Sequence, residues 1–205
     1  MSFIRKFSGR DLGFAVVTGL IAGGIGWQSL NYLAVPEYHG LSWAALVVIV
    51  PVLWILGVLL GYFLGQWLPF FDQFGKFAAI GFTNFSVSLG MLNLLLYYTG
   101  YASGYGYAVI NSVAFIVATL SSYFWNKYWA FNAGSSRGGG IEFGKFFIVT
   151  IAAFLVNIGV ASIVVNLIHP VLGLTAHQWA NVGAIVGSAA GLVFSFAGFK
   201  LTVFR

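Results

Sequence analysis

The chain has 205 residues, of which 60% are hydrophobic and 6% charged, with a formal net charge of +5. Soluble domains carry roughly 25% charged residues, so nine Lys or Arg and four Asp or Glu are too few to coat a soluble globule, and the chain reads as an integral membrane protein. It has no cysteine, which excludes disulfides, thiolate metal sites and a Cys nucleophile, and its scattered basic residues form no stripe of the kind that nucleic acid requires.

A membrane-crossing helix needs about 20 mostly apolar residues, and six stretches qualify. In chain order they are residues 12–33, 43–68, 77–98, 107–129, 146–168 and 179–199. The first follows Arg5, Lys6 and Arg10. Its apolar part is long for a signal core and no clear small-x-small cleavage site follows, so it reads as a span. Runs such as residues 44–50 are apolar throughout, without the alternation of a barrel strand. Lipid offers no partner to backbone polar groups, so the spans must be helices. The predicted fold class is an all-α integral membrane protein with six transmembrane helices.

The charges orient these spans. Arg5, Lys6 and Arg10 precede the first, and Lys76 lies between the second and third. Lys127, Arg137 and Lys145 lie at or between the fourth and fifth, and Lys200 and Arg205 close the sixth. All nine basic residues thus fall on one side, against Glu37, His39, His169 and His177 on the other. The positive-inside rule places both termini in the cytoplasm. Trp27, Trp43, Trp67, Trp129 and Trp179 fall towards span ends, where interfacial aromatics are expected.

Phe74-Gly75-Lys76-Phe77 recurs as Phe143-Gly144-Lys145-Phe146, and Phe85 and Gly90 match Phe154 and Gly159 at the same offset of 69. Ser122-Tyr123 and Lys127 through Ala130-Phe131 match Ser195-Phe196 and Lys200 through Val203-Phe204 at an offset of 73. The last four spans therefore read as two parallel two-helix repeats, residues 74–131 and 143–204, because copies with an even number of spans share an orientation. The predicted organisation is a transmembrane hairpin at residues 1–73 followed by a four-helix domain at residues 74–205. Residues 133–140, with Ser135, Ser136 and three consecutive glycines, read as a flexible linker carrying Arg137.

Lys76, Gly81 and Asn84 at the start of one helix, and Ser122 through Phe131 at the end of the next, resemble the GtrA-like family. The second stretch carries that family's aromatic helix end: Asn126, Lys127, Trp129, Ala130 and Phe131. The resemblance covers about residues 74–205. It implies a flippase that moves a polyprenyl-monophosphate-linked sugar across a bacterial-type cytoplasmic (inner) membrane, for cell-surface glycan modification, with a cytoplasmic-side glycosyltransferase as partner. An alternative is a non-transporting membrane subunit that docks such a polyprenyl-phosphate glycosyltransferase. Departures are Ser88 where the family has an acidic residue, and Phe199 and Thr202 where the second copy would need Asn and Trp.

The repeat sets Lys76, Lys127, Lys145 and Lys200 at one depth near the basic side. Two roles fit: contact with phospholipid head groups, or binding of a lipid-linked phosphate by point charges on flexible stems. Placement alone points to the first; the repeat and the resemblance bring the second level with it, with Lys127 and Lys200 the better candidates because they lie about a turn inside the helix end. Asn84, Asn126 and Asn157 are candidates for a sugar path; amides equally bond across helices, and the resemblance favours the sugar for Asn84 and Asn126. Glycines at four-residue spacing (Gly19 and Gly23; Gly57, Gly61 and Gly65; Gly183, Gly187 and Gly191) predict close helix packing.

Catalysis is not expected. Asp11, Asp72 and Glu142 flank basic residues and are expected to pair with them, and no carboxylate pair is placed for acid–base work. The histidines lack metal-ligand spacing. No cofactor and no metal is expected. Four spans leave little room for a sugar path, so a homodimer is expected.

Overall fold

The computed structural model describes residues 2–37, 40–135, 138–171, 173 and 176–204. His39, Ser136, Arg137 and Arg205 lie outside them, and the side chain of His177 is likewise not described. Every regular element among the described residues is helical. Among the described residues, six helices are long and apolar enough to cross a membrane, and the chain is a multi-pass membrane protein.

A short helix α1 (Ser2–Lys6) leads to α2 (Gly9–Tyr32). Ser8 and Asp11 start α2 with a capping box: the Ser8 side chain accepts from the Asp11 N–H, and the Asp11 carboxylate accepts from the Ser8 N–H. A 3₁₀ turn, Trp43–Ala45, runs into α3 (Leu46–Leu64). Helix α4 (Phe71–Thr99) ends where Gly100 takes a left-handed φ of +68°, a conformation that costs glycine nothing. Helix α5 (Gly104–Trp125) continues into a π-helical turn, Asn126–Ala130. Helix α6 (Gly139–Leu167) is followed by α7 (Ala176–Gly198), which also continues into a π-helical turn, Phe199–Val203.

Helices α4 and α6 begin about two turns before the predicted spans, at Phe71 and Gly139. Hydropathy trims the polar first turns of a helix, whereas backbone hydrogen bonding continues through them. Lys76 and Lys145 consequently sit in the second turn of their helices rather than opening them.

The chain divides into two compact units, residues 1–132 and 133–205. In the first, α2, α3 and α4 pack through glycines. A methyl group added at Gly19 would lie 2.5 Å from the Pro51 Cα, and one at Gly61 would lie 2.8 Å from the Phe71 carbonyl oxygen. Gly75 faces back onto the Gly57 carbonyl at 3.0 Å and the Gly61 Cα at 3.2 Å from such a carbon. Midway along these helices Trp54 donates to the Thr83 hydroxyl at 3.0 Å, and Thr83 donates to the Ala79 carbonyl at 2.9 Å. In the second unit, α6 and α7 meet along Gly183, Gly187 and Gly191, with Gly187 against the Asn157 carbonyl and Ala161. The predicted role of the spaced glycines, close contact of helices that lipid cannot drive together hydrophobically, is what the packing uses.

Candidate functional site

The basic end of the first unit is built around a carboxylate. Asp11 Oδ1 lies 2.6 Å from Lys76 Nζ and accepts from Trp129 Nε1 at 3.2 Å. Its Oδ2 accepts from the Tyr62 hydroxyl at 2.9 Å and the Ser8 hydroxyl at 2.9 Å. The side chains of Lys76 and Asp11 are 14% and 5% exposed. A charge pair this sheltered holds only when its remaining lone pairs are satisfied, and the donors on α2, α3 and the end of α5 do that. Asp11 thus pairs with a basic residue, but with the distant Lys76 rather than the neighbouring Arg10. Asp72 does the same, lying 2.7 Å from Lys6 Nζ.

The aromatic helix end is clamped onto α2. Arg10 donates to the Tyr128 carbonyl, and to Asn132 Oδ1 at 2.7 Å. Phe14 stacks on Trp129 and meets Trp125 edge-on, each at 5.8 Å between ring centres. Within the π-helical turn, Asn126 is 1% exposed. Its Nδ2 donates to the Ser122 carbonyl at 2.8 Å and to the Ser122 hydroxyl at 3.2 Å, while its Oδ1 is buried with no hydrogen-bond partner. Lys127 is 7% exposed, with Nζ 3.3 Å from the Tyr123 hydroxyl and 5.6 Å from the Tyr123 ring centre. π-Helical turns of this kind are rare and concentrate at functional sites.

The second unit repeats several of these relationships. The Phe131 N–H donates to the Asn126 carbonyl at 3.0 Å, and the Phe204 N–H to the Phe199 carbonyl at 2.9 Å. Phe77 and Phe131 lie 6.2 Å apart between ring centres; Phe146 and Phe204 lie 6.1 Å apart. Lys200 Nζ stands 5.7 Å from the Phe196 ring, as Lys127 stands from Tyr123. The units differ at one position. Where the first has Asn126, the second has Phe199, which stacks on Phe146 at 4.2 Å. Lys200 and Lys145 are exposed, and Glu142 is buried.

Of the candidate amides, Asn84 is half-buried on α4 with its Oδ1 shielded and without a partner. Asn157 donates to the Ser188 hydroxyl at 3.4 Å, in the α6–α7 seam beside Gly187 and Gly191. Asn126 and Lys127 are adjacent at one helix end, and the ion pair holds Lys76. Sequence reasoning did not anticipate Tyr62 and Trp129 as partners of Asp11, nor Arg10 as a clamp. The Ser8-x-x-Asp11 spacing is the one readable signal, since it marks a capping box.

Residues 76–204 match the sequence profile described as the GtrA/DPMS transmembrane domain. No curated protein and no solved structure matches the chain.

Proposed function

The chain belongs to the GtrA/DPMS transmembrane-domain family, and on that premise we propose that it is a translocase for a polyprenyl-monophosphate-linked sugar, serving cell-surface glycan modification. The family suggests a membrane protein acting in polyprenyl-linked sugar processes, and the match over residues 76–204 is the observation that carries the reading. The chain moves a lipid head group and makes or breaks no covalent bond. It resides in a bacterial-type cytoplasmic membrane as a homodimer, with both termini inside, as the distribution of its nine basic residues supports.

Residues 74–131 and 143–204 act as parallel repeats. The π-helical turns, the paired phenylalanines and the lysine-over-ring contacts at equivalent positions support this. Each repeat presents one phosphate-binding lysine at its closing helix end, Lys127 in the first and Lys200 in the second. Lys145 lends positive potential near the head groups. Lys76 differs: a buried carboxylate already compensates its charge, so its role is to hold the hairpin to the domain. Asn126, with an unpartnered oxygen beside Lys127, and Asn84, with another on α4, are the amides available to sugar hydroxyls. Asn157 serves helix packing.

Purified protein in liposomes, with no glycosyltransferase present, tests the reading. Movement of a short-chain polyprenyl-phosphate sugar between leaflets supports it. No movement, together with co-purification of a membrane glycosyltransferase, supports the docking-subunit alternative.

A further inference from the structure

We propose that the end of the first unit remote from the ion pair holds a second ligand site, a cavity for a neutral glycosyl group. A cavity of about 800 Å³ lies between the last third of α2 and the last third of α4. Ligand pockets commonly measure about 300–1,000 Å³. Its polar groups come from Gln28, Ser29, Asn31 and Asn93, its aromatic surface from Tyr32, Tyr97 and Tyr98, and the rest of the lining is apolar. Tyr97 meets Tyr32 edge-on at 6.5 Å and Tyr98 at 5.2 Å between ring centres. At Gly90, Ile25 Cγ2 fills the space a side chain would take, 2.5 Å from an added carbon.

The lining chemistry selects the ligand. No Lys, Arg, His, Asp or Glu lines the cavity, so it offers nothing to a phosphate. Amides and phenols would go unused against a hydrocarbon chain. A sugar has hydroxyl edges that exchange hydrogen bonds with amides and C–H faces that lie on aromatic rings. One amide lacks a partner at present: Asn93 Nδ2 is shielded and makes no hydrogen bond. A rotation of that side chain that brings the donor to the cavity surface would let a ligand hydroxyl satisfy it.

Gln28 lies roughly 25 Å along α2 from Asp11 at 1.5 Å per residue. A head group at the basic end does not reach the cavity. That the glycosyl group arrives there on a polyprenyl phosphate, after crossing, rests on the proposed translocase function; the preference for a neutral sugar rests on the lining alone. Half of the cavity comes from α2, which precedes the matched domain.

The absence of cysteine makes the test direct. Met91→Cys and Leu94→Cys, which line the cavity and leave its amides in place, are made singly and labelled with a water-soluble maleimide in lipid nanodiscs. Three kinds of probe are added: short-chain polyprenyl phosphates bearing glucose, galactose or N-acetylglucosamine; the same polyprenyl phosphate without sugar; and the free methyl glycosides. At least one glycosylated probe is expected to slow labelling of both variants fivefold or more, while the bare phosphate does not. Equal protection by the methyl glycoside identifies a free or acceptor glycan as the source of the same chemistry. No protection by any sugar, or equal protection by the bare phosphate, overturns the site. Labelling in nanodiscs requires no transport. Protection without transport therefore counts against the translocase alone, and transport without protection counts against the cavity alone.

Discussion

Asp11 Oδ1 and Lys76 Nζ lie 2.6 Å apart, although Asp11 belongs to the first turn of the first long helix and Lys76 opens the matched family domain. The pair makes the N-terminal hairpin part of the domain's structure. Tyr62 on α3 and Trp129 at the end of α5 converge on the same carboxylate, so four elements depend on one anion.

Removing one member of a buried pair strands the other. Lys76→Met is expected to destabilise the protein by about 3–5 kcal/mol, because the Asp11 charge is left uncompensated. Combining it with Asp11→Asn is expected to recover part of that loss, since the stranded charge is removed while an acceptor for Tyr62, Trp129 and the cap remains. Thermal unfolding in detergent, read as a double-mutant cycle, measures both. A loss in the double variant equal to the sum of the Lys76→Met and Asp11→Asn losses would show that the pair contributes nothing as a pair.

Trp129→Phe keeps the ring that stacks on Phe14 and deletes one donor to Asp11. A hydrogen bond to a charged group contributes about 1.5–3 kcal/mol, and a loss in that range is expected by the same unfolding measurement. Phe14→Ala removes the stack instead. The aromatic pair adds about 0.5–1.5 kcal/mol beyond its buried area, so combining the two changes should cost about their sum, because each deletes a different interaction.

Gly75 and Gly61 allow α3 and α4 to approach backbone to backbone. Gly75→Val places side-chain carbon where the Gly57 carbonyl and Gly61 Cα already lie, 3.0 and 3.2 Å from the first added atom. Overpacking of this kind costs about 1–3 kcal/mol. Gly144 holds the same place as Gly75 in the recurring Phe-Gly-Lys-Phe stretch and faces open space, so Gly144→Ala is expected to cost nothing and, being inside a helix, to raise the unfolding temperature slightly. A similar loss at both positions would remove the packing explanation.

The order and number of the long helices were legible because a helical span needs a long apolar run and the runs lack the alternation of barrel strands, the other regular backbone that lipid permits. Helix starts were not. Phe71 and Gly139 precede polar residues that hydropathy assigns to a loop. The π-helical turns were invisible for a different reason. They are changes of hydrogen-bond register at Asn126 and Phe199, with no effect on composition. The sequence marked Lys127 and Lys200 as equivalent, yet Lys127 is buried and Lys200 exposed, a difference set by packing. Lys76 was legible as a conserved-depth cation within the repeat pattern, but its partner stands 65 positions away on a helix outside that pattern.

Transport by lysine variants in liposomes decides the function. The rate at which a short-chain polyprenyl-phosphate sugar changes leaflets is compared for wild type, Lys127→Ala, Lys200→Ala and Lys127→Arg, after each variant is shown to be folded by its unfolding temperature. Loss of a phosphate contact in each repeat should slow movement at least tenfold, about 1.4 kcal/mol at 25 °C, and Lys127→Arg should retain most of the rate. Transport at the wild-type rate in the Lys127→Ala, Lys200→Ala double variant would contradict the assignment of the phosphate to these two lysines.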